Sequence, residues 1–411
     1  MRVLSRRTAV VVFLVFAFAY FFSALIRAIT ATLSPTLTQE FALNARELGL
    51  LAGGYFLGFA AIQLPLGNLL DRHGPKKVIL SFLAVAVAGC VAFSLATNFI
   101  NLLLARILCG IGVSACLMAP LTGYRRWLLP SSLLRANSWM LMTGSLGMVA
   151  STLPVQWLMP LWGWRPLFWG LAAMVLLSMV LIAWQVPAWH HSEPEAAVTP
   201  KNGSYAEVWR HPYFRKLVPL GFFNYGGLVA IQTLWAVPWM IKVANYTPVQ
   251  AATGLFWINV VMLVTFWSWG MINPWLAQRG WDTNRLIKLG VPVSLTLLAI
   301  VIGASNHFSG WTGVLLAVYC MSCTVVALAQ PAVGLAFAPG LAGRALSAYN
   351  LVIFAGVFAV QWGIGLLVDG LKALGWQEIA AFQGAMGIFL VCCIASYVYF
   401  LASKSHNQGS R

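Results

Sequence analysis

Apolar residues along this chain gather into long unbroken runs separated by short charged or Pro/Gly-containing turns. Twelve runs are long enough to be membrane helices, at about 8–34, 47–70, 78–97, 101–122, 136–158, 166–187, 217–241, 250–275, 285–304, 310–336, 347–369 and 379–402. A hydrocarbon core of roughly 30 Å takes about 20 apolar residues per helix, and each run is near that length. The pattern predicts an all-α membrane protein of twelve transmembrane helices. The widest interruption, 188–216, carries Pro, Glu and Ser and reads as a linker at mid-chain. The expected organisation is an N-terminal six-helix bundle at 1–187, a cytoplasmic linker at 188–216, a C-terminal six-helix bundle at 217–403 and a tail at 404–411. The opening Met-Arg-Val-Leu-Ser-Arg-Arg and the apolar run behind it resemble a signal peptide. The run is too long for one and lacks a small-residue cleavage site, so it reads as a retained first span.

Composition sharpens this picture. Of 411 residues, 60% are apolar and only 8% charged, which excludes an ordinary soluble enzyme with its usual quarter of charged residues. The formal charge of +16 would suggest a nucleic-acid partner in a soluble protein. Here the cations follow topology. With the N-terminus inside, nineteen of the 25 Lys and Arg fall in inner loops and tails, four fall in outer loops, and Arg27 and Arg106 lie within spans. That asymmetry obeys the positive-inside rule and places both termini in the cytoplasm of an inner (plasma) membrane. Lipid is then the surrounding partner, and nucleic acid is not. All seven cysteines lie within spans; Cys320-x-x-Cys323 has metal-pair spacing but no nearby His, and reads as packing. No cofactor fingerprint, metal-ligand cluster or nucleophile motif occurs, so neither a cofactor nor a metal nor catalysis is expected.

The inner turn between the second and third spans reads Gly67-Asn-Leu-Leu-Asp71-Arg72-His-Gly74-Pro-Lys76-Lys77. It resembles the G-x-L-x-D-r-x-G-r-k loop of the major facilitator superfamily. Gly67 and Gly74 suit close helix approach and a tight turn. Asp71 suits a helix end, where it can pair with cations of the neighbouring bundle, while Arg72, Lys76 and Lys77 stay at headgroup level. Arg106-Ile-Leu-Cys-Gly110-Ile-Gly112 resembles the family's fourth-helix pattern, and Gly163-Trp164-Arg165 a recurrent outer turn. A degraded second copy of the loop, Asn273 to Gly280, follows about half a chain later, with Ala277 standing where Asp71 does. The resemblance covers roughly 8–402. It implies two pseudo-symmetric bundles around a midplane site that opens alternately to each side, with Gly67, Asp71, Arg72, Gly74, Lys76, Lys77 and Arg106 in gating or coupling. The small-residue patterns Gly54-x-x-x-Gly58, Gly110-x-Gly112 and Gly144-x-x-Gly147 suit close sliding helix contacts.

Charges inside spans are costly and mark function by default. Arg27 lies on a polar stripe of the first span with Tyr20, Ser23, Thr30 and Ser34, at spacings that share one helix face. Its planar fork can hold a carboxylate in two places at once. The Tyr20–Arg27 separation resembles that of organic-anion and phosphate-ester transporters of the superfamily; a snorkelling Arg is the plainer alternative. Shifted by one repeat, Arg27 corresponds to about Thr233, so a second cation is missing and a single carboxylate-sized charge is expected. Gln63, Asn224, Gln232, Asn259, Asn350 and Gln361 are candidates for the cargo's neutral groups, with Tyr225, Trp235 and Trp239 as walls, each amide equally open to a structural role. All nine acids and all six histidines lie outside the middles of the spans, so a mid-membrane proton relay is not expected.

The sequence thus reads as a secondary transporter, working as a monomer, that moves a small organic anion of monocarboxylate type by alternating access, with proton symport, exchange and uniport open. An efflux pump for drugs or metabolites is the alternative, disfavoured by a fifth span without a Gly-Pro pair. A non-transporting membrane receptor is a more distant one.

Overall fold

The computed structural model describes residues 4–188, 204–304 and 309–403. Among them there are helices and turns and no strand, as expected where no water can serve exposed backbone groups. Ten helices are long and apolar enough to cross a bilayer. The expected twelve spans follow once two of the helical segments are read physically.

The first is Ala45–Ser94, 50 residues in length. A straight helix of that size would run roughly 75 Å, more than twice the hydrocarbon core. The chain leaves helical geometry at Gly74, with φ 74° and ψ 162°, a conformation open to glycine and strained for other residues. Packing shows the reversal. Gly54 and Gly58, before Gly74, lie against Leu103 and Ile107; Gly89, after it, lies against Cys109, and Gly112 lies against Ala86. Both halves therefore flank one helix, Phe99–Val113, and count as the second and third spans. The second case is the fifth span. Pro130–Ala150 is followed by Leu153–Trp162, with Ser151 and Thr152 breaking the helix between them. The expected run at 136–158 is thus longer and interrupted.

The mid-chain linker also differs from expectation. Its end holds a short helix, Tyr205–Arg210, capped by Ser204, and the seventh span already begins at Pro212. Ser at the N-cap and Pro at a first helical position are ordinary start signals; they sit inside a polar stretch, where hydropathy does not reveal them. The rest of the linker and the 404–411 tail lie outside the described residues. The seventh span, Pro212–Lys242, contains two wide π turns, Leu220–Tyr225 and Ile231–Trp235. Large apolar side chains such as Trp157, Leu161 and Trp184 are exposed on the outside of the bundle, the arrangement lipid requires and water forbids.

The second span and the eleventh, Pro339–Ala373, run antiparallel in close contact. Gly365 meets Ala45, Gly49 meets the Gln361 carbonyl, Gly53 meets Phe358, and the Phe59 ring lies tilted against Phe354 at 4.5 Å. The same register continued would set Gly67 opposite Gly343, yet neither has an atom within 4 Å of an added Cβ. The helices meet at the Glu40 end and part toward the Gly74 end. Gly67 therefore makes no close approach here, contrary to expectation, because its partner helix has diverged.

Candidate functional site

The polar stripe of the first span faces inward: Tyr20, Ser23, Thr30 and Ser34 are all buried and Arg27 is half-buried. Small residues make that face accessible. Gly144 of the fifth span receives the Tyr20 ring, and Gly147 lies against the Phe21 carbonyl. Gly110 of the fourth span meets the Tyr55 backbone, bringing the second span close as well. Any side chain at these glycines would push a wall of the site outward.

Arg106 is fully buried and ties the fourth span to the first. Its Nη1 donates to the Ile26 carbonyl at 2.9 Å and its Nη2 to the Arg27 carbonyl at 3.5 Å. Its guanidinium also lies 5.0 Å from the centre of the Tyr55 ring, a cation–π distance. This cation holds backbone and ring in place around Arg27. Arg27 itself has a buried Nε without a hydrogen-bond partner, while its guanidinium is within hydrogen-bonding reach of the Tyr20 and Tyr55 phenols, and Thr30 Oγ1 on the same helix face is buried and unpartnered. The phenols of Tyr20, Tyr55 and Tyr225 all lie close enough to interact electrostatically with Arg27. Among the described residues the ion pairs are Arg165–Glu40, Lys242–Glu378 and Lys372–Glu378, so no carboxylate among them neutralises Arg27.

The amides of the C-terminal half are largely committed to one another. Gln232 donates to Asn259 at 2.8 Å, and Asn259 to the Leu255 carbonyl at 2.9 Å. Asn224 donates to Ser396 Oγ at 2.6 Å, and Asn350 accepts from Gln330 at 2.6 Å. In the other half, Gln63 turns back to the Phe59 carbonyl at 3.2 Å. Gln361 is different. Its Nε2 donates to Thr233 Oγ1 at 3.0 Å, and its carbonyl accepts from Trp235 Nε1 at 3.1 Å, but its Oε1 is buried without a partner. The neighbouring Trp362 Nε1 is likewise unpartnered. Tyr55 and Trp362 are groups here that the sequence did not bring forward, whereas Tyr225, expected as a wall, does lie near Arg27. For Tyr55 the signal was present in the small residues around it, Gly53, Gly54 and Gly58.

The inner-loop motif supplies geometry more than charge pairing. Gly74 makes the turn, and Lys76 Nζ donates to the Val186 carbonyl at 2.7 Å. Asp71 and Arg72 are exposed and form no ion pair among the described residues. The expected pairing of Asp71 with the other bundle does not occur among the described residues, where the second and eleventh spans have parted at this end. At the opposite end Gly163, φ 72°, turns the chain so that Trp164 Nε1 and Arg165 both donate to Glu40. No group of three metal-ligating side chains occurs among the described residues, and all seven cysteines are free thiols.

Comparison with known proteins agrees with this architecture. The chain is 25% identical over 312 residues to a 4-hydroxybenzoate transporter of Acinetobacter baylyi, covering 66% of each protein. It is 27% identical over 356 residues to a gallate transporter of Pseudomonas putida, covering 76% of this chain and 74% of that one. A crystal structure of a D-xylose–proton symporter superposes with a TM-score of 0.80 at 13% identity, covering 98% and 99% of the two chains. Residues 16–361 match the family model of the Major Facilitator Superfamily, and with an all-helical membrane fold and an inward-facing Arg27 stripe, the chain belongs to that superfamily of transporters.

Proposed function

We propose that this protein carries a small organic acid with a single carboxylate across the inner membrane by alternating access, and that Arg27 is the seat of that carboxylate. The observation that carries this reading is a half-buried guanidinium with an unused Nε and no acidic partner among the described residues. A buried cation without a counter-ion is unfavourable, and an anionic cargo supplies what is missing. The relatives described above are named for 4-hydroxybenzoate and gallate, both ring-bearing carboxylates. Tyr20, Tyr55 and Tyr225 offer faces for such a ring, and Gln361 Oε1 a buried acceptor for a hydroxyl. With the positive-inside orientation, the Gly74 end opens to the cytoplasm. No acid or histidine among the described residues lies deep in a span, so any proton linkage would have to run through the cargo–Arg27 pair itself.

The test is uptake into proteoliposomes from a panel of hydroxylated and plain carboxylates, their primary amides, sugars and lipophilic cations. One carboxylate should be concentrated, and its amide, equal in shape but uncharged, should fail to compete. Equal competition by the amide would refute the anion seat. Transport of the cations alone would favour the efflux reading. An inward acid gradient at clamped voltage should accelerate uptake if the pair carries a proton; no acceleration leaves exchange or uniport.

A further inference from the structure

The first turn of the second span has four backbone N–H groups to satisfy, at Asn44, Ala45, Arg46 and Glu47. Two are served locally by a capping box: Asn44 Oδ1 accepts from Glu47 N at 2.8 Å, and Glu47 Oε2 accepts from Asn44 N at 3.1 Å. The other two are served from the far half of the molecule. Asp369, near the end of the eleventh span, accepts from Ala45 N at 3.2 Å through Oδ1 and from Arg46 N at 2.7 Å through Oδ2. One turn earlier, Gly365 lets the two backbones touch, and a Cβ there would fall on the Ala45 carbonyl.

We propose that Asp369 is a latch holding the Glu40 end of the transporter shut by capping the second span across the two halves. A carboxylate at a helix N-terminus meets both the free N–H groups and the positive end of the helix dipole. The other seam contacts described above, Gly49 on Gln361, Gly53 on Phe358 and Phe59 on Phe354, are packing without hydrogen bonds. Asp369 supplies the directional bonds of the seam, and separation of the halves surrenders both to water at one step. The latch needs no cargo and so stands apart from the anion seat.

The experiment measures distance between spin labels at Thr97→Cys and Leu374→Cys, exposed positions in the third–fourth and eleventh–twelfth turns of the same end. It is done in lipid nanodiscs without substrate, with Cys392, the one half-buried native cysteine, replaced. Asp369→Ala should raise the ratio of long to short distances on the order of tenfold, and Asp369→Asn, which keeps one acceptor oxygen, should raise it less. Ala45→Pro removes one donor from the other side of the latch. Proline suits a first helical position, and Asn44 already has the extended backbone that precedes one, φ −78° and ψ 174°. It should shift the ratio in the same direction. Unchanged distributions in both Asp369→Ala and Ala45→Pro would overturn the latch, and if Asp369→Ala does not fold, Ala45→Pro decides alone.

Discussion

Replacing Arg27 separates its charge from its shape. The free Nε together with one terminal nitrogen makes a side-on fork, so a bound carboxylate accepts two parallel charge-assisted bonds. Arg27→Lys keeps the charge and loses one of them. A hydrogen bond to a charged group is worth about 1.5–3 kcal/mol, and each 1.4 kcal/mol is tenfold. The dissociation constant of the best cargo should therefore rise roughly 10- to 150-fold. Arg27→Ala loses the charge as well and strands the carboxylate in a buried site. Truncations of that kind cost about 2–5 kcal/mol, or roughly 30- to several-thousand-fold. Neither change should weaken the fold much, because Arg27 has no acidic partner among the described residues to lose and Ala removes a poorly solvated cation. Isothermal titration of purified protein gives the affinities, and a melting curve of the same sample gives the stability. Lysine binding within threefold of the native protein would refute the bidentate geometry. A large fall in melting temperature in Arg27→Ala with unchanged affinity would make Arg27 a structural cation.

Two further substitutions separate packing from cargo contact. Gly110→Val would drive a side chain into the Tyr55 backbone and part the second and fourth spans; overpacking of this kind costs about 1–3 kcal/mol, visible as a lower melting temperature and as weaker binding through the displaced Tyr55. Asn224→Val breaks the 2.6 Å bond to Ser396 between the seventh and twelfth spans, with an expected loss of about 1–3 kcal/mol in stability and binding within threefold of native. Lost binding at native stability would return Asn224 to the cargo site.

The spans, the turn at Gly74 and the inward stripe around Arg27 were legible because they are local. Hydropathy over twenty residues, one glycine in a loop and the 3–4 spacing of Tyr20, Ser23, Arg27 and Thr30 need no knowledge of distant chain. What could not be read depends on partners far away in sequence. The bonds of Asp369 to Ala45 and Arg46 join positions more than 300 residues apart. The choice of Gln330 for Asn350, or Ser396 for Asn224, is likewise decided by which helices pack together. The break at Ser151 and Thr152 and the π turns of the seventh span leave the hydrophobic run unchanged, so hydropathy passes over them. Gly67 shows the converse: its sequence context suits close approach, yet its opposite number stands apart in this arrangement.

That no described carboxylate faces Arg27 has an electrical consequence. A site that is cationic when empty and neutral when it holds a monoanion feels the membrane voltage only on the unloaded half of its cycle. Carrying one charge through the full field takes about 2.3 kcal/mol per 100 mV. With the cytoplasm negative, the outward return of the empty site runs uphill and slows net uptake. Swapping one anion for another never returns the site empty, and proceeds at a rate the voltage does not set.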